Sequence, residues 1–272
     1  MSSYDQLPEG WSSGAGGYAE QFMLHTRPYA ADALELIGVG SGTRVLDVAA
    51  GTGAATLEAA GRGATVVATD FAAGMVDQLR AQVERAGLSG SVSAEVMDGQ
   101  ALTLPDDSVD AAISMFGWMF FPDTDAGLHE LHRVVRPGGR IALGIWNLEG
   151  FALRQLIGAA MAEALPGFDP GTGVPSWARI GDPAVFRSEV ERAGFTDMVV
   201  HTVWHRWELP DPRSFCETMG EWTPVWKPVM DRLTADERAR LADAFVNAVR
   251  AAESQPNGIQ VAADICTATV PE

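Results

Sequence analysis

Positive charge is scarce in this chain of 272 residues: 19 Lys and Arg stand against 36 Asp and Glu, for a formal net charge of −17. Lys227 is the one lysine. A polyanion would be repelled, and no basic stripe with interleaved aromatics offsets the deficit, so nucleic acid is not expected as a partner. An anionic membrane surface is disfavoured on the same ground. Cysteine is nearly absent. Cys216 and Cys266 lie far apart with no CxxC or Cys/His cluster around them, so neither a zinc site nor a disulfide framework is implied and no metal is expected. No apolar run approaches the roughly 20 residues of a membrane span. The N-terminal MSSYDQLPEGW lacks a basic stretch leading into an apolar core, and a cytoplasmic protein is expected. No feature assigns an oligomeric state.

What is present is 47 % hydrophobic, enough to bury the core of one α/β domain with a modest addition. Short apolar runs alternate with helical segments. Arg44–Val48, Ala64–Thr69, Ser91–Met97, Val109–Met115 and Arg140–Trp146 read as strands. Between them fall a helix after the turn at Gly51-Thr52-Gly53, one over Gly74–Ala86 and one over Asp123–Val135 that ends at Pro137-Gly138-Gly139. This alternation predicts βαβ units and a parallel sheet, and the unbroken apolar runs suit strands covered on both faces.

The flanks are less regular. A helix is predicted from about Gly17 and another near Tyr29–Ile37. Asp182-Pro183 opens a helix that Gly194 closes, Met198–Leu209 reads as a strand, Thr234 and Glu237 form a capping box, and Gly258–Val270 is a last strand. Phe151–Arg179 and Pro210–Asp231 are rich in Pro and Trp and read as insertions over the sheet edge.

Open α/β sheets bind ligands beyond the carboxyl ends of their strands. The first such turn is Asp47-Val48-Ala49-Ala50-Gly51-Thr52-Gly53, whose glycines let backbone approach a ligand and take positive φ. The second strand leads into Asp70, a carboxylate suited to a ribose diol, and the third into Asp98-Gly99, suited to an adenine edge. A nicotinamide-type G-x-G-x-x-G/A fingerprint fits poorly: Thr56 stands where the third small residue belongs. An acidic Asp47 beside the turn suits a cationic amino group better than a pyrophosphate.

Val45-Leu46-Asp47-Val48-Ala49-Ala50-Gly51-Thr52-Gly53 resembles motif I of class I S-adenosylmethionine (SAM) methyltransferases, in the ubiquinone/menaquinone C-methyltransferase-like (methyltransferase type 11) branch. Asp70, then Met97-Asp98-Gly99 with Leu104-Pro105-Asp106-Asp107-Ser108-Val109-Asp110, then Arg133-Val134-Val135-Arg136-Pro137-Gly138-Gly139-Arg140 resemble its later motifs in order and spacing. The resemblance covers about residues 40–147. It implies a Rossmann-like fold, a seven-stranded mixed sheet with helices on both faces and a lid of insertions. The implied division is a single domain over 1–272: an N-terminal lid segment 1–40, a core 41–147, lid insertions 148–180 and 208–257, and the rest of the sheet in 181–207 and 258–272.

By this resemblance Asp47 and Ala49, Gly51, Thr52 and Gly53 surround the methionine part of SAM. Asp70 holds the ribose, Phe71 and Met75 lie beside the adenine, and Asp98, Gly99 and Gln100 read its amino group. Met115 and Phe116 line the sulfonium side, while Tyr18 and Arg27 of the N-terminal segment are candidates for the cofactor's carboxylate. Ala49 departs from the glycine of many members. Met115-Phe116-Gly117-Trp118 has no ionisable group where some relatives keep one, which puts an inherited base in doubt.

Aromatics are candidates for the acceptor pocket: Trp11, Tyr18, Phe116, Phe120, Trp146, Trp177 and Trp222, each weighed against a plain packing role. His25 and His205 are the candidate bases, since imidazole titrates near neutrality, with a structural role as the alternative. The expected function is methyl transfer to carbon, oxygen or nitrogen of a small molecule of aromatic or isoprenoid type, as in secondary metabolism, relying on positioning and desolvation. The alternatives are a non-catalytic binder of SAM or S-adenosylhomocysteine (SAH) and a nicotinamide-dependent oxidoreductase.

Overall fold

Successive residues of the apolar runs are sent to opposite faces of one sheet, which is why those runs carry no polar alternation. The computed structural model describes residues 4–169, 180–254 and 258–272. After a 3₁₀ turn at Tyr4–Gln6 come α1 (Pro8–Gln21), α2 (Met23–Leu36), β1 (Arg44–Val48), α3 (Ala54–Gly61), β2 (Thr65–Asp70), α4 (Ala73–Arg85) and β3 (Val92–Val96). Then follow β4 (Val109–Met115), α5 (Thr124–Val134), β5 (Val135–Phe151), α6 (Ala152–Ala164), α7 (Pro183–Arg192) and β6 (Thr196–Trp207). The chain continues through α8 (Pro212–Trp222), α9 (Lys227–Met230), α10 (Ala235–Glu253) and β7 (Ile259–Thr269).

The strand order is β3-β2-β1-β4-β5-β7-β6, with β7 antiparallel to both β5 and β6 and the other pairs parallel. This is the expected Rossmann-like, seven-stranded mixed sheet. Val45, Val66, Ala111 and Ile113 join a core with α2, α3 and α4. Their neighbours Leu46, Val67 and Ala112 join the opposite core with α5, α6, α7 and α10. Each fully buried Leu or Val on these faces contributes roughly 1.5–3 kcal/mol. The sheet order reverses between β1 and β4, where a crevice opens at the strands' carboxyl ends.

Capping follows the sequence. Asp182 accepts from Ala184 N at 2.8 Å at the start of α7, and Thr234 and Glu237 complete their box on α10. Three expectations are corrected. The first helix starts at Pro8 instead of about Gly17, because its glycines are contact points and not breakers. A Cβ on Gly10, Gly14 or Gly17 would meet Tyr4 O at 2.6 Å, Glu221 O at 2.8 Å or Trp222 Cβ at 2.7 Å. The second helix starts at Met23 and carries Pro28 inside it, whereas the sequence placed it near Tyr29. The fifth strand runs beyond Arg140–Trp146 at both ends, its register against β4 shifting between Val109 and Ala111. The two segments read as irregular insertions contain α6, α8 and α9.

Candidate cofactor and acceptor site

The turn after β1 folds as its glycines require. Gly51 and Gly53 take φ of +55° and +102°. A Cβ on Gly53 would lie 2.3 Å from Leu79 Cδ1, whereas one on Gly51 would meet nothing within 4 Å and would project into open space. Ala49 takes φ +54°, a conformation that costs a non-glycine residue about 1–2 kcal/mol. Its methyl fits because position 117 is glycine: a Cβ there would sit 2.3 Å from that of Ala49.

Two buried carboxylates frame this turn. Asp47, 1 % exposed, accepts from Thr56 Oγ1 at 2.6 Å. The threonine that spoils the nicotinamide fingerprint thus orients the acidic group. Asp70 accepts from Gly51 N through Oδ2 and from Ala72 N through Oδ1, both at 2.9 Å, and so ties the glycine turn to the start of α4. Burial pushes the Asp47 carboxyl up to about 7, with the nearby Asp70 charge adding to it. Burial likewise pushes Asp70 up to about 6, against its two backbone hydrogen bonds.

Both carboxylates face a cavity of about 910 Å³, together with Gly51, Thr52, Phe71, Met75, Gly99 and the exposed Asp98. No lysine, arginine or histidine is among its described lining residues. Thr52 Oγ1 is sealed in this wall without a hydrogen-bond partner among the described residues. Asp98 Oδ1 accepts from both Gln100 N and Gln100 Nε2, and Gln100 Oε1 accepts from Asp123 N. The Gln100 amide therefore braces the rim. Buried carboxylates without a cation, an unpaired hydroxyl and a glycine cradle suit a ligand carrying cationic and hydroxyl groups. SAM has both, and the residues present fit it.

A pH dependence follows. Each buried carboxyl holds its proton more tightly folded than unfolded, so its stabilising contribution is complete below about pH 4 and is lost as pH rises through 6 to 7. Asp47→Asn keeps the shape and removes the charge. We expect the ligand-free variant to melt above wild type at pH 8, by an amount on the order of a few kcal/mol at roughly 1.4 kcal/mol per pKa unit. The gap should narrow as pH falls below 7 and close only below about pH 4, where the unfolded carboxyl is protonated as well; scanning calorimetry at pH 8 and pH 4 checks this.

A second cavity of about 620 Å³ adjoins the first and shares Trp11, Tyr18, Phe116 and Phe120 with it. Trp11 and Tyr18 come from α1, packed on α4 and α8. Ser12 Oγ accepts from Gly74 N at 3.2 Å, where any Cβ on Gly74 would clash with Ser12. Burial, helped by Asp70, pushes the Tyr18 phenol above its usual range, so it is a hydrogen-bond donor and not a base. Phe116 takes φ +62°, a strained conformation for a bulky residue of the kind found at functional sites. It is held by Phe116 N donating to Gly144 O at 2.8 Å and by stacking on Trp146 at 3.8 Å. Trp146 and Trp222 line the second cavity.

Other expected site residues lie elsewhere. Arg27 is exposed and pairs with Glu58 at 3.4 Å, so the cavity wall receives no cation from it. His25 stacks on Trp207 at 4.4 Å, and burial lowers its pKa to about 4. His205 Nε2 lies 2.6 Å from Asp32 Oδ2, joining β6 to α2. Neither histidine lines either cavity, and the reason is the same for both: α2 and β6 turn them against each other's surfaces. Trp177 lies outside the described residues. Sequence reasoning missed Met23 and Thr26 of the first cavity, and Phe22, Phe151, Phe215 and Trp226 of the second. Only Phe22 had a signal, its position one helical turn from Tyr18.

Residues 45–139 match the methyltransferase domain family. The chain is similar to an uncharacterized protein of Mycobacterium tuberculosis, 44 % identical over 119 residues, and to a demethylmenaquinone methyltransferase of Mycobacterium sp. (strain KMS), 42 % identical over 107 residues. These alignments cover 44 % and 39 % of this chain, and 43 % of each relative. Among solved structures, phosphoethanolamine N-methyltransferase 2 of Haemonchus contortus, in complex with phosphomonomethylethanolamine and SAH, shares the fold with a TM-score of 0.56. It is 15 % identical, over 90 % of this chain and 53 % of that one. The matched segment holds β1 to β4 and the glycine turn, so the similarity to methyltransferase domains falls on the part of the chain that builds the first cavity.

Proposed function

We propose that the chain transfers a methyl group from SAM in the first cavity to an uncharged, apolar small molecule in the second. The observation that carries this reading is the shared wall: the two cavities meet at Trp11, Tyr18, Phe116 and Phe120, where donor and acceptor atoms can be brought into line. Asp47, Asp70 and the Ala49–Gly53 turn hold the cofactor, with Phe71 and Met75 beside its adenine. When bound, SAM supplies a methyl already activated by a positive sulfonium.

The chain's own task is then alignment and exclusion of water. Aromatic walls dry the junction, and Met115 and Phe116 crowd the reacting side. No carboxylate, imidazole, amine or thiol is among the described residues lining the second cavity. The acceptor therefore brings its own nucleophile, a carbon or oxygen activated within the molecule. Amines that must shed a proton are disfavoured, and so are carboxylates and sugars, which need polar or cationic partners. The demethylmenaquinone methyltransferase relative supports a small-molecule acceptor.

The test supplies methyl-labelled SAM with hydroxylated bicyclic aromatics, and separately with amines and with protein. The proposal expects label in the solvent-extractable aromatic product at rates at least tenfold above the other acceptors. Label that enters only amines or protein would contradict it.

A further inference from the structure

Trp146 lines the acceptor cavity without offering it a face. Phe116 covers one side of the indole at 3.8 Å and 13°, and Phe151 covers the other at 4.6 Å and 7°. Stacking of an acceptor on this residue is thus blocked. What remains is the edge. Trp146 is 4 % exposed, and among the described residues its Nε1–H has no hydrogen-bond partner. Nor is that nitrogen among the sealed-off polar atoms, and the side chain that carries it lines the second cavity.

Four other tryptophans differ, whereas the more exposed Trp204 and Trp226, the second of which also lines this cavity, show no N–H partner among the described residues. Trp11 Nε1 donates to Asp5 O at 2.8 Å, Trp222 Nε1 to Thr218 Oγ1 at 3.2 Å, and Trp207 Nε1 to Tyr29 OH at 3.1 Å. Even the fully buried Trp118 donates, to Thr124 O at 3.0 Å. A buried indole N–H normally finds a partner. The three-ring stack fixes the orientation of Trp146, so its donor cannot swing away to find another.

We propose that Trp146 is a specificity-determining residue whose indole N–H binds an oxygen of the acceptor, and that the acceptor is a flat apolar molecule bearing a conjugated carbonyl or phenolic oxygen. This rests on the second cavity being the acceptor chamber. A donor in a largely apolar chamber, whose other lining polar groups include the hydroxyls of Tyr18 and Thr223, discriminates by penalty as well as by attraction. A hydrocarbon of the same shape strips water from the N–H and returns nothing.

9-Fluorenone and fluorene form a matched pair of probes, equal in shape and differing in one carbonyl. Their binding to the SAH-loaded protein is measured by equilibrium dialysis, for wild type and for Trp146→Phe, which keeps a ring between Phe116 and Phe151. Wild type is expected to prefer the ketone by about three- to tenfold, the range of one hydrogen bond. Trp146→Phe should bind both probes alike, with SAH affinity unchanged. Equal binding of the two probes by wild type would overturn the proposal, as would a preference that survives in the variant. Trp146→His, if Trp146→Phe fails to fold, restores an N–H in a smaller ring and should restore part of the preference. SAH binding without binding of either probe would instead count against the acceptor chamber itself, and absence of SAH binding against the cofactor site.

Discussion

Asp70→Ala is expected to weaken SAH binding by two to three orders of magnitude while leaving the sheet intact. Two effects combine. The carboxylate accepts hydrogen bonds from Gly51 N and Ala72 N, so it holds the glycine turn and the start of α4 in register. Its remaining acceptor capacity faces the cavity, where a ribose diol would use it. Hydrogen bonds to a charged group contribute about 1.5–3 kcal/mol each, and two of them near the lower end of that range give the expected loss. Asp70→Asn, which keeps one acceptor oxygen and removes the charge, should fall between wild type and Asp70→Ala. Calorimetric titration gives the affinities, and thermal melting shows whether each variant is folded. An Asp70→Ala protein that binds SAH within threefold of wild type would remove this residue from the site.

Gly51→Val should be still more selective. The valine side chain would enter the space that Gly51 leaves open, where an added Cβ meets no protein atom within 4 Å, and would fill the cradle. Its φ of +55° makes any branched residue strained, at about 1–2 kcal/mol. Gly87→Val separates the two consequences: Gly87 has φ +70° with equally open space around it, and it does not line either cavity. Both variants should lose a similar few degrees in melting temperature, roughly 2–4 °C for each kcal/mol in a chain of this size. Only Gly51→Val should lose SAH, by at least 100-fold. Equal loss of affinity in both would show that strain, and not the filled cradle, is responsible.

Much of the cofactor side was legible in the sequence because it depends on local chain geometry. A glycine turn after an apolar run, Asp47 just before it and Asp70 at the end of the next run are consequences of one βαβ unit. The acceptor side depends on distant segments meeting. Phe22, Trp146, Phe215 and Trp226 reach one cavity from α2's start, β5, α8 and the start of α9, and no short-range pattern links them. The same holds for the corrections. Arg27 has a partner in Glu58 and His205 one in Asp32, pairings visible only once α2 lies on α3 and β6. The glycines of α1 argued against a helix by propensity, yet close packing against α8 and α4 overrides that preference. The sequence offers Trp146 as an acceptor-side residue, and it lines the second cavity. Its burial between two rings, and with it the change from a stacking wall to a hydrogen-bonding edge, required the folded chain.

The most direct test of the central claim is calorimetric titration of the purified wild-type protein with SAH at pH 7.5, beside NADH. The site as built predicts saturable one-to-one binding of SAH, loss of that binding in Gly51→Val, and no heat from NADH. A folded wild-type sample that binds no SAH, or that binds NADH in its place, would contradict it.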